Sequence, residues 1–148
     1  MMENLKIRLI RNKNELNRVL KIREIVFIKG QKVPVDRERD GLDNISHHFI
    51  VLFEDKPIGC ARIRFIKGNA KLERIALLKK YRGKGFGKTI VDYLVKYCIR
   101  KNAKEIVMGA QHYLKNFYMN CGFKPRGRIF MDAGIKHVER YIKPKLIY

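Results

Sequence analysis

Apolar residues alternate with basic or polar ones from Leu5 to Ile10, the period of a strand with one buried face. From Asn14 to Phe27 the period changes. Leu16, Val19, Leu20, Arg23 and Phe27 recur at helical spacing, behind Asn12, a residue suited to capping a helix N-terminus. Residues 30–46 carry no clear period and read as a long loop. His48–Glu54 and Pro57–Ile66 read as two strands joined by a tight Asp55-Lys56 turn, and Gly68-Asn69 turns the chain into a third strand, Ala70–Leu78. A helix is predicted over Phe86–Lys101, with Ile90, Val91, Leu94, Val95 and Cys98 as its apolar stripe. Glu105–Ala110 reads as a short buried strand and Tyr113–Asn120 as a short helix stopped by Gly122. Phe123–Met131 and Val138–Ile142 close the chain as strands. Strands and helices alternate without repeats, linkers or low-complexity segments, which predicts an α/β domain.

Composition narrows the class. At 148 residues and 46% hydrophobic content the chain supports one core and is too short for two, so residues 1–148 are expected to form a single domain. No apolar run approaches the roughly 18 residues that span a bilayer, and no signal-peptide pattern precedes the first strand. A cytoplasmic protein with no membrane partner is expected. Cys60, Cys98 and Cys121 are odd in number and lack Cys-x-x-Cys spacing, so they read as buried thiols rather than a disulfide framework or a zinc site. His47, His48, His112 and His137 include no pair at helical metal-ligand spacing, and no metal is expected. The formal charge of +20 admits two explanations. One is a polyanionic partner such as nucleic acid or a ribosome; the other is a basic background spread over all faces. Basic residues occur in every segment with no run of five, which favours the second and leaves weak, non-specific nucleic-acid binding compatible.

The segment Tyr81 to Thr89, Tyr-Arg-Gly-Lys-Gly-Phe-Gly-Lys-Thr, lies between a strand and the long helix. Glycines at 83, 85 and 87 let backbone approach a ligand without β-carbons in the way, and the first-turn N–H groups of the helix point at it. Arg82, Lys84 and Lys88 add positive charge, so a phosphate or pyrophosphate is the expected guest. Gly83 to Gly87 leaves three intervening residues where a nucleotide-triphosphatase loop needs four, and the dinucleotide spacing fails as well.

Arg-x-x-Gly-x-Gly (Arg82, Gly85, Gly87) resembles the pyrophosphate loop of the GNAT superfamily of acetyl-coenzyme A-dependent N-acetyltransferases. About 30 residues further on, Phe117-Tyr118-Met119-Asn120-Cys121-Gly122-Phe123 is similar to the Phe-Tyr-x-x-x-Gly-Phe segment of that superfamily. Other pieces resemble its ElaA-like branch: Ile22-Arg23-x-x-Val26-Phe27 with Gln31, Val33-Pro34, Asp40-Gly41-Leu42-Asp43, Ala110-Gln111, and Asp132-Ala133-Gly134-Ile135 with His137. Gln111 stands where many members carry Asn, and Leu114 where Ala is usual.

The resemblance implies a GNAT fold: a mixed, mostly antiparallel sheet of about six to seven strands flanked by helices and splayed between the fourth and fifth. It implies acetyl-coenzyme A as cosubstrate, entering between Leu72–Leu78 and Glu105–Ala110, with its pyrophosphate on residues 83–87. Freed backbone of Ile75, Ala76 and Leu77 would meet the pantetheine arm, with Arg82, Gly83, Lys84, Gly85, Phe86, Gly87, Lys88, Gln111, Asn116 and Tyr118 completing the cofactor set. One backbone N–H would polarise the thioester carbonyl while a primary amine attacks directly, and Tyr118 is the candidate acid for the departing thiolate.

Each of these residues has a plainer reading beside the functional one. Tyr118 suits a core aromatic. Glu73 reads as lying on the face of Leu77, where it is either a base relaying the amine proton or the partner of nearby lysines; Arg74 reads as pointing the other way. Asp36, Asp40 and Asp43, with Glu38, form an acidic loop that either captures a cationic amine or pairs with Arg37 and Arg39. His137 is a candidate lining residue of the acceptor pocket. The competing class is a nucleic-acid- or ribosome-associated binding protein on the same scaffold. A homodimer is compatible with either. Small-molecule, protein and peptide amines all remain open as acceptors.

Overall fold

A computed structural model describes residues 2–144. Seven strands form one sheet: β1 (Leu5–Leu9), β2 (His47–Phe53), β3 (Lys56–Ile66), β4 (Asn69–Leu77), β5 (Ile106–Gln111), β6 (Lys124–Asp132) and β7 (Ile135–Ile142). Their order is β1-β2-β3-β4-β5-β7-β6, antiparallel throughout except for the parallel pair β4–β5. The helices are α1 (Lys13–Arg23), α2 (Val35–Glu38), α3 (Phe86–Arg100) and α4 (Lys115–Asn120). The fold class is the mixed, splayed α/β sheet expected.

The core sits on both sheet faces. One face packs Phe49, Ile63, Leu72, Met108 and Ile106 against Ile90, Val91 and Leu94 of α3. Each such fully buried aliphatic side chain contributes about 1.5–3 kcal/mol relative to an exposed one. The other face packs Ile50, Cys60 and Ala76 against Val19, Ile22 and Val26. α3 stops where Asn102 turns left-handed (φ 60°) and Ala103 N–H reaches back to the Cys98 carbonyl at 3.1 Å. Gly122 (φ 93°) ends α4 likewise, with Phe123 N–H donating to the Tyr118 carbonyl at 3.0 Å.

Four local expectations shift. Asn12 caps α1 as expected, its Oδ1 accepting from Glu15 N–H at 2.9 Å. Beyond Arg23, however, the helix widens into a π-helical stretch, Glu24–Gly30, and the buried stripe is Val19, Ile22 and Val26 rather than Leu16 and Leu20. The β2–β3 turn is Glu54-Asp55, one residue earlier than predicted, with both φ positive (49° and 65°) as a two-residue hairpin turn requires. The loop 30–46 contains α2 and a 3-10 turn at Asp43–Ile45. β6 and β7 form a longer hairpin than the apolar pattern suggested.

Candidate active site

β4 and β5 pair only at Ala70↔Ile106 and Lys71↔Val107, after which they separate. A bulge shapes the free part of β4. Arg62 faces Glu73 and Cys60 faces Ala76, so Arg74 and Ile75 together oppose Ala61, with Arg74 held at φ 54°. Beyond the bulge the backbone of Leu78 is taken by β3, its N–H donating to the Ile58 carbonyl at 2.8 Å. By the alternation of an antiparallel ladder Ala76 is also directed at β3, while Leu77 presents its N–H and C=O to the gap. This corrects one expectation: Ala76 does not offer its backbone to the gap, and Leu77 does. Arg82 Nε occupies the Leu77 carbonyl at 2.8 Å, which leaves the Leu77 N–H as the open donor.

The gap ends at the start of α3. Gly83 (φ 75°) and Gly85 (φ 85°) are left-handed, and Gly85 occupies the N-cap without a side-chain cap. Among the described residues the N–H groups of residues 83–88 have no backbone acceptor, so they are available as donors. A side chain on Gly83 would meet open space, whereas one on Gly87 would start 3.3 Å from Phe117 Cζ. Of the three basic residues, Lys84 stands exposed, Lys88 pairs with Asp92 at 2.8 Å, and Arg82 turns back to β4. The cradle is therefore mainly backbone, with less free side-chain charge than the sequence suggested.

α4 lies across the same end of the gap. Phe117 packs on Gly87, and the Tyr118 ring meets Phe117 and Phe123 edge-on, at 5.0 and 6.1 Å between centroids. Burial pushes the Tyr118 phenol up to about 12; Cys121 and Tyr113 act in the same direction and Arg140 against it. The phenol keeps its proton at neutral pH. Asn116, on the same helix, is exposed.

On the opposite sheet face, Gln111 at the end of β5 donates from Nε2 to Gln31 Oε1 at 2.8 Å, bridging the sheet to the segment after the π-helical stretch. Its cross-strand partner His137 is buried, bonded through Nδ1 to the Ile135 carbonyl at 2.7 Å and stacked on Phe130. Gly109 leaves room for the Phe130 ring, whose Cζ would lie 3.3 Å from an added Cβ. Gln31, Gln111, His137 and Phe130 thus gather beside the gap, and Phe130 was not singled out by the sequence.

The acidic loop behaves differently from the expectation that it faces the acceptor with free carboxylates. Arg62, 1% exposed, donates to Asp40 and Asp43 at 2.9 Å each and to Glu73 through Nε at 2.9 Å. Arg23 bonds Glu38 (2.8 Å) and Asp43 (2.9 Å), Arg74 bonds Glu38 (3.0 Å), and Arg64 bonds Glu73 (2.6 Å). Among the described residues Asp36 alone of these carboxylates makes no ion pair. The hydrogen bond from Arg62 holds Asp40 well below the usual carboxylate range. Burial would raise Asp43 and Glu73, but the arginine hydrogen bonds outweigh it and both end lowered.

The bulge also overturns the face assignment of Glu73. It stands across from Arg62 on the α1 side, with Arg74 reaching the same carboxylates, and Leu77 on the other face. An arginine-saturated carboxylate is a weak proton acceptor, so the cluster is an anchor that ties residues 36–43 to β3 and β4. Sequence separations of 9 to 36 residues hid these pairings.

A mostly antiparallel sheet opened between its fourth and fifth strands, with a bare helix start at the opening, defines the acetyltransferase class outlined by the sequence. The family model for the acetyltransferase (GNAT) family matches residues 16–123, and the chain belongs to that family. It is 37% identical over 130 residues to the uncharacterized N-acetyltransferase YjcF of Bacillus subtilis, covering 87% of this chain and 93% of that one. It is 28% identical over 132 residues to Protein ElaA of Escherichia coli (84% and 85% covered). The ElaA crystal structure superposes with a TM-score of 0.81 at 21% identity, over 92% of this chain and 98% of that one. A Bacillus subtilis acetyltransferase in complex with CoA superposes with a TM-score of 0.75 at 16% identity, covering 95% and 99%. Among the described residues no helix is long and apolar enough to cross a membrane, and no group of three His, Cys, Asp or Glu is placed to hold a metal ion.

Proposed function

We propose that this protein transfers the acetyl group of acetyl-coenzyme A to a primary amine by direct attack. The observation that carries the reading is that, among the described residues, the N–H groups of residues 83–88 at the start of α3 have no backbone acceptor, together with the early parting of β4 from β5. The pyrophosphate fits those N–H groups, since helix-start amides and left-handed glycines accept an anion without a β-carbon in the way, once the exposed Met2 side chain, whose methyl would lie 3.1 Å from a Cβ on Gly85, swings aside. The pantetheine arm fits the gap, where Leu77 N–H is the donor available to its amides or to the thioester carbonyl.

On the far face, Gln31, Gln111, His137 and Phe130 surround the approach of the amine. The amine attacks the carbonyl carbon, the C–S bond breaks, and Tyr118 supplies a proton to sulfur. Glu73 holds the acceptor loop in place rather than relaying the amine proton, and the ion-paired Asp40 and Asp43 do the same. Support comes from membership in the family and from a structural neighbour crystallised with CoA. The test is thiol release from acetyl-coenzyme A against a panel of polyamines, amino acids and peptides. Acceptor-dependent release supports the reading, and its absence across the panel in protein shown to bind the cofactor counts against a primary-amine acceptor.

A further inference from the structure

Arg140 is a charged residue of the core that no ion pair among the described residues accounts for. It is 1% exposed, and its Nε and Nη1 find no hydrogen-bond partner among the described residues. Buried guanidinium groups elsewhere in this molecule, Arg23 and Arg62, are saturated by carboxylates. Leaving a buried cation unpaired is among the costlier arrangements a fold can hold.

Its place is set by the register. Arg140 on β7 stands directly across from Met108 on β5 and so shares the face of Met108, with Val138 and Ile142 to either side. That face is roofed by α4 and its Gly122 turn, where an added Cβ on Gly122 would lie 3.8 Å from Ile142 Cδ1. Tyr118, 8% exposed, belongs to the same cluster as Met108 and Phe123. The charged and titratable groups acting on its phenol are Tyr113 in the turn before α4, Cys121 after it, and Arg140 from the sheet below. Lys88 and Asp92 of α3 act on Cys121. Arg140 is the one cation among those acting directly on the phenol.

We propose that Arg140 is a positioning residue for the transfer reaction, its buried guanidinium supporting the negative charge that develops on the Tyr118 oxygen. This rests on the reading of Tyr118 as the acid. As the thioester C–S bond breaks, the electron pair stays on sulfur and the phenol proton moves to it. The phenolate left behind is the species Arg140 stabilises, and the proton shed by the attacking amine nitrogen then restores the phenol. Free N–H donors on a buried cation match that demand, because the charge appears only during turnover.

The test separates charge from packing. Trifluorotyrosine placed at position 118 ionises well below tyrosine in the same site and can be followed by its own ultraviolet absorbance change. In Arg140→Met its midpoint should rise by about one unit or more, as expected on losing a nearby opposite charge. In the natural-tyrosine protein the same substitution should lower kcat roughly tenfold with KM for acetyl-coenzyme A unchanged. It should not lower Tm, since it removes an unpaired buried charge, and Arg140→Lys should recover part of kcat. An unmoved midpoint, or a fall in kcat matched by a fall in Tm, overturns the proposal. A moved midpoint in a protein whose Tyr118→Phe variant turns over normally overturns it through the acid role on which it rests.

Discussion

Gly87 and Phe117 are in contact: a β-carbon on Gly87 would begin 3.3 Å from the Phe117 ring. The bare position in the glycine loop thus serves packing as well as the proposed ligand, because the helix that carries Tyr118 rests on it. Gly87→Val, whose branches extend past that 3.3 Å contact, should displace Phe117 and cost about 1–3 kcal/mol of stability, the range for overpacking a tight site, along with turnover. Gly83→Ala meets open space but strains a left-handed residue. It should cost about 1 kcal/mol in stability and weaken acetyl-coenzyme A binding while leaving α4 in place. Urea unfolding with calorimetry on both variants checks this. Equal stability losses would show that the Phe117 contact does not hold α4.

Arg62 joins three carboxylates that come from the acidic loop and β4. Arg62→Met leaves Asp40, Asp43 and Glu73 with incomplete pairing in a mostly buried site, and breaking such pairs costs about 3–5 kcal/mol. Chemical denaturation should show a loss in that range. A loss under about 1 kcal/mol would mean the cluster does not anchor the loop.

Acid should dismantle the same cluster. Asp40, Asp43 and Glu73 ionise more readily in the fold than in the unfolded chain. Their contribution is therefore complete above the ordinary carboxylate range near 4 and is lost as pH falls through their lower folded values. Burial keeps His47 and His48 neutral, so the unfolded chain takes up their protons first and a separate decline starts at about pH 6.5. Tm followed from about pH 8 to pH 3 should fall in two stages. A profile flat to about pH 4 would contradict the histidine stage.

Glu73→Gln distinguishes an anchor from a base. The variant should lose stability while its folded fraction keeps kcat within about tenfold, since the carboxylate is occupied by Arg62 and Arg64. A drop of roughly 10²-fold without loss of stability would return Glu73 to the proton path.

The order of strands and helices, the glycine turn and the Tyr118 helix were legible because each rests on local signals: period, caps and glycines. What escaped the sequence is non-local or hidden by a residue type. Arg74 adopts a left-handed φ that nothing in Glu73-Arg74-Ile75 announces, and that one bulge reversed the face expected for Glu73. Apolar period likewise passed over Arg140, because a guanidinium reads as surface until its strand neighbours bury it. The acidic loop looked free because its arginine partners lie on other strands and helices.

The +20 charge bears on partners rather than on the fold. RNA or DNA binding should be weak and fall log-linearly with salt. A tight, selective complex at physiological salt would favour a nucleic-acid-binding role.

Tyr118→Phe keeps the ring that packs on Phe117 and Phe123, so folding and cofactor affinity should hold. Turnover should fall by roughly 10²-fold or more if the phenol supplies the proton to sulfur. Unchanged turnover, with chemistry rate-limiting, would leave that proton to solvent.

Calorimetric titration of acetyl-coenzyme A at moderate salt tests the central claim most directly, since every step proposed depends on a pyrophosphate seated on residues 83–88. The expected result is saturable heat at one site per chain, a rise in Tm with cosubstrate, and weakened binding in Gly83→Ala. No heat and no Tm shift at millimolar cosubstrate would contradict the account and leave the GNAT scaffold of this chain serving some other purpose.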